Sequence, residues 1–140
     1  LLWLPEREDE RRVGLIDTQD AVLGHPAYDL ASLLQDARVD VEFVFADQLY
    51  ARYESQRLRH GAFDPEEFAR AYSILGAQRA SKILGIFARL NARDGKPQYL
   101  KHMPRVSRYL ARNLEHPALS KIKLWFEREM PDALRVRKTP

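Results

Sequence analysis

The run Val13-Gly-Leu-Ile-Asp17-Thr-Gln-Asp20-Ala-Val-Leu-Gly24-His25-Pro26-Ala-Tyr28-Asp29-Leu-Ala31 begins as a strand and ends as a helix. Val13 to Ile16 is a short apolar run that Asp17 closes. Gly24-His25-Pro26 is a turn signal, and Pro26 suits a first helical turn, where its missing N–H costs nothing. Leu30, Leu33 and Leu34 then recur at helical spacing. Upstream, Leu1 to Leu4 is a second apolar run, separated from the first by the polar loop Pro5 to Arg12. Two such runs joined by a polar loop read as a β-hairpin. A two-stranded hairpin is not stable alone. It must therefore pack on the helices that follow it or on something upstream of Leu1.

Everything after the turn reads as helix. A second helix is expected from Val41 to Arg59, with Phe45, Leu49, Arg52 and Tyr53 along one side and His60-Gly61 as its end. Asp64-Pro65-Glu66-Glu67 is a cap residue, a proline at the first position and a glutamate three after the cap. The helix it opens carries Phe68, Tyr72, Leu75, Arg79, Ile83, Ile86, Phe87 and Leu90 on its apolar side, and Asn91 to Lys96 reads as a loop. Pro104 to Leu114 is a helix of mixed character. Pro117 to Met130 is another, with Leu119, Ile122, Trp125 and Phe126 at three- and four-residue steps and Pro131 as its stop. The predicted fold is α+β and mostly α: an N-terminal hairpin followed by a helical bundle. It forms one domain over residues 1–140, divided at 24 between hairpin and helices, with 132–140 as a tail.

Composition narrows the function classes. The chain has 140 residues, 45% hydrophobic and 31% charged, enough apolar material to exclude low-complexity disorder. No run of about 18 apolar residues occurs, so no membrane span is expected. There is no cysteine, hence no disulfide frame and no thiolate chemistry, which fits a cytoplasmic protein. His25, His60, His102 and His116 are scattered without an HExxH pattern, and there is no GxSxG elbow. Charge is split. Residues 1–47 hold four Arg against eleven Asp or Glu, a net −7, and residues 48–140 hold nineteen Lys or Arg against nine acids, a net +10. The acidic part suits a metal site or a cationic ligand. The basic part suits a solvated helical surface or, as an alternative class, a nucleic-acid-binding or scaffold module. The cations do not form one block, and no specific nucleic-acid partner is expected.

An aspartate at the end of an apolar strand has a fixed backbone and a carboxylate aimed into open space. Asp17 is therefore a candidate ligand for a hard cation such as Mg²⁺, which commonly takes one or two carboxylates plus substrate phosphates. It reads equally as a turn cap after a strand. Asp20, three residues on, reads as a second ligand, a sugar contact or a turn cap. Gln19, Gln35, Asp36 and Arg38 border the same presumed cleft and are candidate substrate contacts. Arg38 has the planar fork that holds a carboxylate in a bidentate way.

The pattern Ile-Asp-x-x-Asp-Ala-x-x-Gly-x-Pro-x-Tyr-Asp-Leu-Ala, placed between a hairpin and an all-helical run, resembles the aminoglycoside phosphotransferase family. The resemblance is strong over residues 13–38 and weaker, through element order, over the rest. It is nearest to the branch of bacterial kinases that phosphorylate the anomeric hydroxyl of N-acetylmuramate or N-acetylglucosamine in cell-wall recycling. The resemblance implies the larger, C-terminal lobe of a protein-kinase-like fold, with 1–24 as hairpin and metal-binding loop and 25–131 as helical subdomain. It implies ATP and Mg²⁺ as cofactors, Asp17 as the metal ligand and Asp29 as structural support for the catalytic loop. Gln19, Asp20, Asp36 and Arg38 become acceptor contacts. An aminoglycoside or another hydroxyl compound is the alternative substrate. The family's catalytic loop, nucleotide-binding lysine and smaller lobe would all lie upstream of Leu1. That makes the sequence a fragment with no catalytic residue of its own, inactive alone and partnered by the missing N-terminal lobe. Two departures from the family pattern stand out. Thr18-Gln19 replaces Phe-Gly after the metal aspartate, and His25 stands where many members have aspartate.

Overall fold

The computed structural model describes residues 1–16 and 18–134, without the side chain of Asp20. Strands β1 (Leu2–Trp3) and β2 (Val13–Gly14) pair antiparallel, Leu2 opposite Gly14 and Trp3 opposite Val13. The Leu4 N–H donates to the Arg12 carbonyl at 2.8 Å, which closes the polar loop. The predicted hairpin is therefore present. It makes its main contacts within itself, and Leu1, Leu2, Trp3, Val13, Leu15 and Ile16 remain exposed. Of the two expected ways to support it, extensive packing on the helices is not the one seen among the described residues.

Helix α1 (Ala27–Leu34) presents Ala27, Ala31 and Leu34 inward, while Leu33 is exposed. Two alanines on the buried face let α1 lie close against α3 (Pro65–Asp94). At thirty residues α3 is about 45 Å long and forms the spine of the fold. The Asp64 carboxylate accepts from the N–H groups of Glu66 and Glu67 at 2.9 and 3.1 Å, as its sequence predicts. The far end differs from expectation. Asn91 to Asp94 continue the helix, and the stop is Gly95, at φ +60°, with the Lys96 N–H returning to the Leu90 carbonyl.

The buried face of α3 also differs. Phe68 and Phe87 are buried as expected, but between them lie Gly76, Ala77, Ala80 and Leu84, with Leu75, Ile83 and Ile86 at the flanks. Small residues take the centre because α4 (Met103–Leu114) crosses there. The mixed composition of α4 hides its central position. Val106, Leu110 and Leu114 are its most buried side chains, joined by Ser107, Tyr109 and Asn113.

Helix α2 (Phe43–Arg59) lies outside, with Ala46 its one buried residue; Phe45, placed inward by the apolar spacing, is exposed. Tyr53 on the expected side faces inward, 5.2 Å from the Phe68 ring, and Tyr50 joins it, 5.0 Å from the Tyr72 ring. The expected helix over 117–130 is split into a 3₁₀ turn (Pro117–Leu119) and α5 (Ser120–Glu129), and α6 (Pro131–Leu134) follows it. Pro131 thus opens a short helix as well as ending one, and the tail expected from residue 132 begins as helix. Residues 135–140 lie outside the described residues. The core is Ala77, Ala80, Leu84 and Phe87 of α3 against Val106, Leu110 and Leu114 of α4, with Leu119 beside them.

Candidate functional site

The segment from β2 to α2 carries most of the residues singled out by sequence. Asp17, the expected metal ligand, lies outside the described residues. Thr18 to Asp20 form a single 3₁₀ turn, with the Ala21 N–H donating to the Thr18 carbonyl, and Gln19 is exposed in it. His25 then starts α1. Its Nδ1 accepts the Ala27 N–H at 3.2 Å, and its ring lies 5.8 Å from that of Phe68. A capping acceptor is what an aspartate would supply at this position. The departure at 25 therefore keeps a local job with a different acceptor. Asp29 is exposed in the first turn of α1, where its charge favours the helix dipole. Among the described residues its carboxylate accepts no hydrogen bond from the start of α1.

Beyond α1, Gln35 is committed inward and Asp36 to a local turn. The amides of Gln35 and Asn113 form a buried reciprocal pair, Gln35 Nε2 to Asn113 Oδ1 at 3.1 Å and Asn113 Nδ2 to Gln35 Oε1 at 2.8 Å. The Gln35 carbonyl also accepts from Arg79 at 3.2 Å. Gln35 is thus a structural residue joining α1 to α3 and α4. Asp36 Oδ1 accepts the N–H groups of Arg38 and Val39 at 2.6 and 2.8 Å and shapes the turn. Arg38 is exposed beside this turn. Its charge acts on His102, whose pKa is pushed down by burial first and then by the charges of Lys101, Arg105 and Arg38. Arg105 donates to Asp40 at 3.0 Å and to the Ala37 carbonyl at 3.3 Å, tying the α1–α2 turn to α4. Of the four expected acceptor contacts, Gln19 and Asp20 precede α1 in the chain, and Asp36 and Arg38 follow it.

A second feature escaped the sequence. Helices α1 to α4 line a half-open pocket of about 240 Å³. Tyr50, Tyr72, Ser73 and Tyr109 line it, and Asp47 and Arg112 form an ion pair there. The Arg112 guanidinium also lies 4.8 Å from the Phe43 ring centroid. The hydroxyls of Tyr50 and Tyr109 are buried without a hydrogen-bond partner among the described residues. The Val41 N–H is close enough to Tyr109 to favour its phenolate, yet no bond of ordinary geometry forms. Burial pushes the Tyr50 phenol up to about 12 and raises Tyr72 too, the latter opposed by the Gln35 amide beside it. The available signal was the choice of tyrosine, rather than phenylalanine or leucine, on three inward faces.

Residues 1–69 match the model of the phosphotransferase enzyme family. Over that stretch the chain is similar to this family. Relatives extend the phosphotransferase match beyond residue 69. The chain is 47% identical over 131 residues to the N-acetylmuramate/N-acetylglucosamine kinase of Caulobacter vibrioides, covering 94% of this chain and 35% of that protein. It is 44% identical over 104 residues to the protein of that name in Neisseria meningitidis, and 40% over 104 residues to the one in Pseudomonas aeruginosa. Each of the latter two matches covers 72% of this chain and 31% of the relative. The chain therefore spans about a third of the length of the curated relatives it matches. The recognised strand–turn–helix pattern falls within the family-matched residues, and the mostly α architecture with its small hairpin agrees with the predicted fold class.

Proposed function

We propose that this chain forms part of an ATP-dependent kinase that transfers the γ-phosphoryl group to the anomeric hydroxyl of N-acetylmuramate or N-acetylglucosamine. The observation that carries this reading is 47% identity, over 94% of the chain, to a protein named for those two substrates. The role would be in the cytoplasm, in recycling of cell-wall sugars. Among the described residues no helix is long and apolar enough to cross a membrane.

Asp17 would hold Mg²⁺. The donor chemistry fits a hard cation, since the segment offers carboxylates and the chain has no thiol. When bound, the ion would supply neutralisation of the charge that develops on the transferring phosphoryl group. The chain's own residues would orient what surrounds that ion. The 3₁₀ turn at Thr18–Asp20 fixes the exit from β2, so Gln19 and Asp20 would meet the acceptor near its reacting end. The carboxylate of exposed Asp29 would suit N–H donors of a catalytic loop supplied by the rest of the protein. Asp36 holds the turn that presents Arg38, and Arg38 lies in a cationic region suited to the lactyl carboxylate of N-acetylmuramate. Asp36 acts there as a positioning residue.

The test is ADP release with ATP and Mg²⁺ by the whole protein, offered N-acetylmuramate, N-acetylglucosamine, kanamycin and choline in turn. Turnover is expected on an N-acetylated sugar, and Asp17→Asn is expected to cut it by about 100-fold or more. The isolated 140-residue chain is expected to release none. Turnover on kanamycin alone would keep the chemistry and overturn the substrate. Turnover unaffected by Asp17→Asn would overturn the metal assignment.

A further inference from the structure

Three segments meet at His102. It ends the 3₁₀ helix Pro97–His102 and leads directly into α4. Its ring lies 6.1 Å from the Phe87 ring of α3. Arg105 Nη1 approaches His102 Nδ1 at 3.4 Å and donates to the Ala37 carbonyl at 3.3 Å. One guanidinium group thus ties the imidazole to the turn that follows α1. Arg38, the residue after that carbonyl, is thereby brought into the neighbourhood of Lys101 and His102. The two segments are far apart in sequence, so no stretch of the chain shows the cluster.

The cluster carries a surplus of cations. Asp36 commits Oδ1 to the N–H groups of Arg38 and Val39. Asp40 pairs with Arg105 at 3.0 Å and with Arg108 at 3.8 Å. Both carboxylates of the turn are therefore engaged. Among the described residues neither Arg38 nor Lys101 has an ion-pair partner, and both are exposed. From α3 the ring meets apolar Phe87, and the first turn of α4 holds no acid. That turn instead carries the positive end of the α4 dipole. The effect registers on His102. Burial first, and then the charges of Lys101, Arg105 and Arg38, push its pKa below the ordinary value, opposed by Asp36. The cationic part of that effect favours an anion for the same reason that it disfavours a further cation. The donors narrow the ligand. Arg38 offers a planar fork of N–H groups, Lys101 an ammonium and His102 a ring nitrogen. A fork beside a point charge suits the oxygens of a phosphate or a carboxylate.

We propose that Arg38, Lys101 and His102 form a binding site for a small oxyanion, a phosphate or a carboxylate group. The inference rests on the proposed function only for the role already given to Arg38, and it adds Lys101 and His102 as binding residues. The site requires no nucleotide, no metal and no transfer. A failure of phosphoryl transfer would therefore leave it standing, and its own failure would leave phosphoryl transfer standing.

The experiment follows the ring C–H resonances of His102 by NMR in the full 140-residue chain, assigned by their absence in His102→Gln. The chain is titrated with sulfate and, separately, with lactate, and sodium chloride at matched ionic strength is the control. Sulfate stands in for a phosphate group because its charge is constant across the pH range used. The expected result is saturable binding in the millimolar range, with shifts at His102 that chloride does not reproduce. Tighter binding of sulfate identifies the phosphate source, and tighter binding of lactate the carboxylate source. The His102 titration midpoint is expected to rise when sulfate binds. By linkage, sulfate then binds several-fold tighter at about pH 5.5 than at about pH 8. Arg38→Gln and Lys101→Gln each remove one cation and are expected to weaken binding by about tenfold and about threefold. Circular dichroism checks the helical fold of both, and either decides alone if the other does not fold. Absence of saturation up to about 100 mM of both anions overturns the proposal. So does a His102 response that chloride matches, a midpoint that sulfate leaves in place, or binding that the folded variants retain in full.

Discussion

Gly76 is where one residue governs the most. A Cβ there would stand 2.6 Å from Asn113 Nδ2 and 3.0 Å from its Oδ1. No side chain other than hydrogen fits unless Asn113 moves, and Asn113 is held by its reciprocal pair with Gln35. Gly76→Ala gains helix propensity worth about 1 kcal/mol at an exposed site. Here the steric conflict and the broken amide pair outweigh it, because two buried amides would each lose a partner at about 1–3 kcal/mol. The expected outcome is a net loss of roughly 1–3 kcal/mol in urea unfolding, and a stabilised variant would show that Asn113 moves freely. None of this was legible in the sequence. Glycine reads as a helix weakness, and a Gln–Asn pair 78 residues apart leaves no local trace. His25 was half legible. Its place before Pro26 marks the turn, but the ring nitrogen that accepts the Ala27 N–H leaves no sequence signature.

The elements were legible where the signal is local and obscured where it depends on a neighbour. The Asp64 cap and its proline are legible because a cap acts within three residues of itself. The inward face of α3 was misplaced because close helix crossing selects alanine and glycine, which hydrophobic spacing underweights. The turn between α1 and α2 shows a third case, in which an element is held by charge. Asp40 is bridged by Arg105 at 3.0 Å, with Arg108 at 3.8 Å. The hydrogen bond from Arg105, and then its charge, hold the Asp40 carboxyl below the usual carboxylate range. A carboxyl depressed in the folded state stabilises the fold above its unfolded value of about 4. That contribution is lost as pH falls through the lower, folded value. Asp40 is largely exposed, so the effect is small and screened by salt. Melting temperatures measured between about pH 5 and pH 2 are expected to fall less steeply in Asp40→Asn than in the wild type. Parallel curves would mean that the bridge contributes nothing to stability.

At the scale of the molecule, the opposite charges of the two halves are stitched together in part by long-range pairs. Arg105 meets Asp40 and Arg112 meets Asp47, each 65 residues apart, so part of the basic half serves to neutralise the acidic half. The hairpin stands apart from this arrangement. Its ladder is two residues long on each strand, and its large apolar side chains are exposed. Local stability follows burial and hydrogen bonding, so the 140-residue chain is expected to open unevenly. Amide hydrogen exchange followed by mass spectrometry is expected to find Leu2 to Gly14 unprotected within seconds. Val106 to Leu114, packed on Ala77, Ala80 and Leu84, would exchange last, near the rate set by global unfolding. If the chain is part of a longer kinase as proposed, adding the rest of that protein is expected to slow exchange in the hairpin and to leave Val106 to Leu114 little changed, because those residues already pack on α3 within this chain. A hairpin as protected as α4 in the isolated chain would mean that its apolar face is already covered, most directly by a second copy. In that case its protection would fall on dilution.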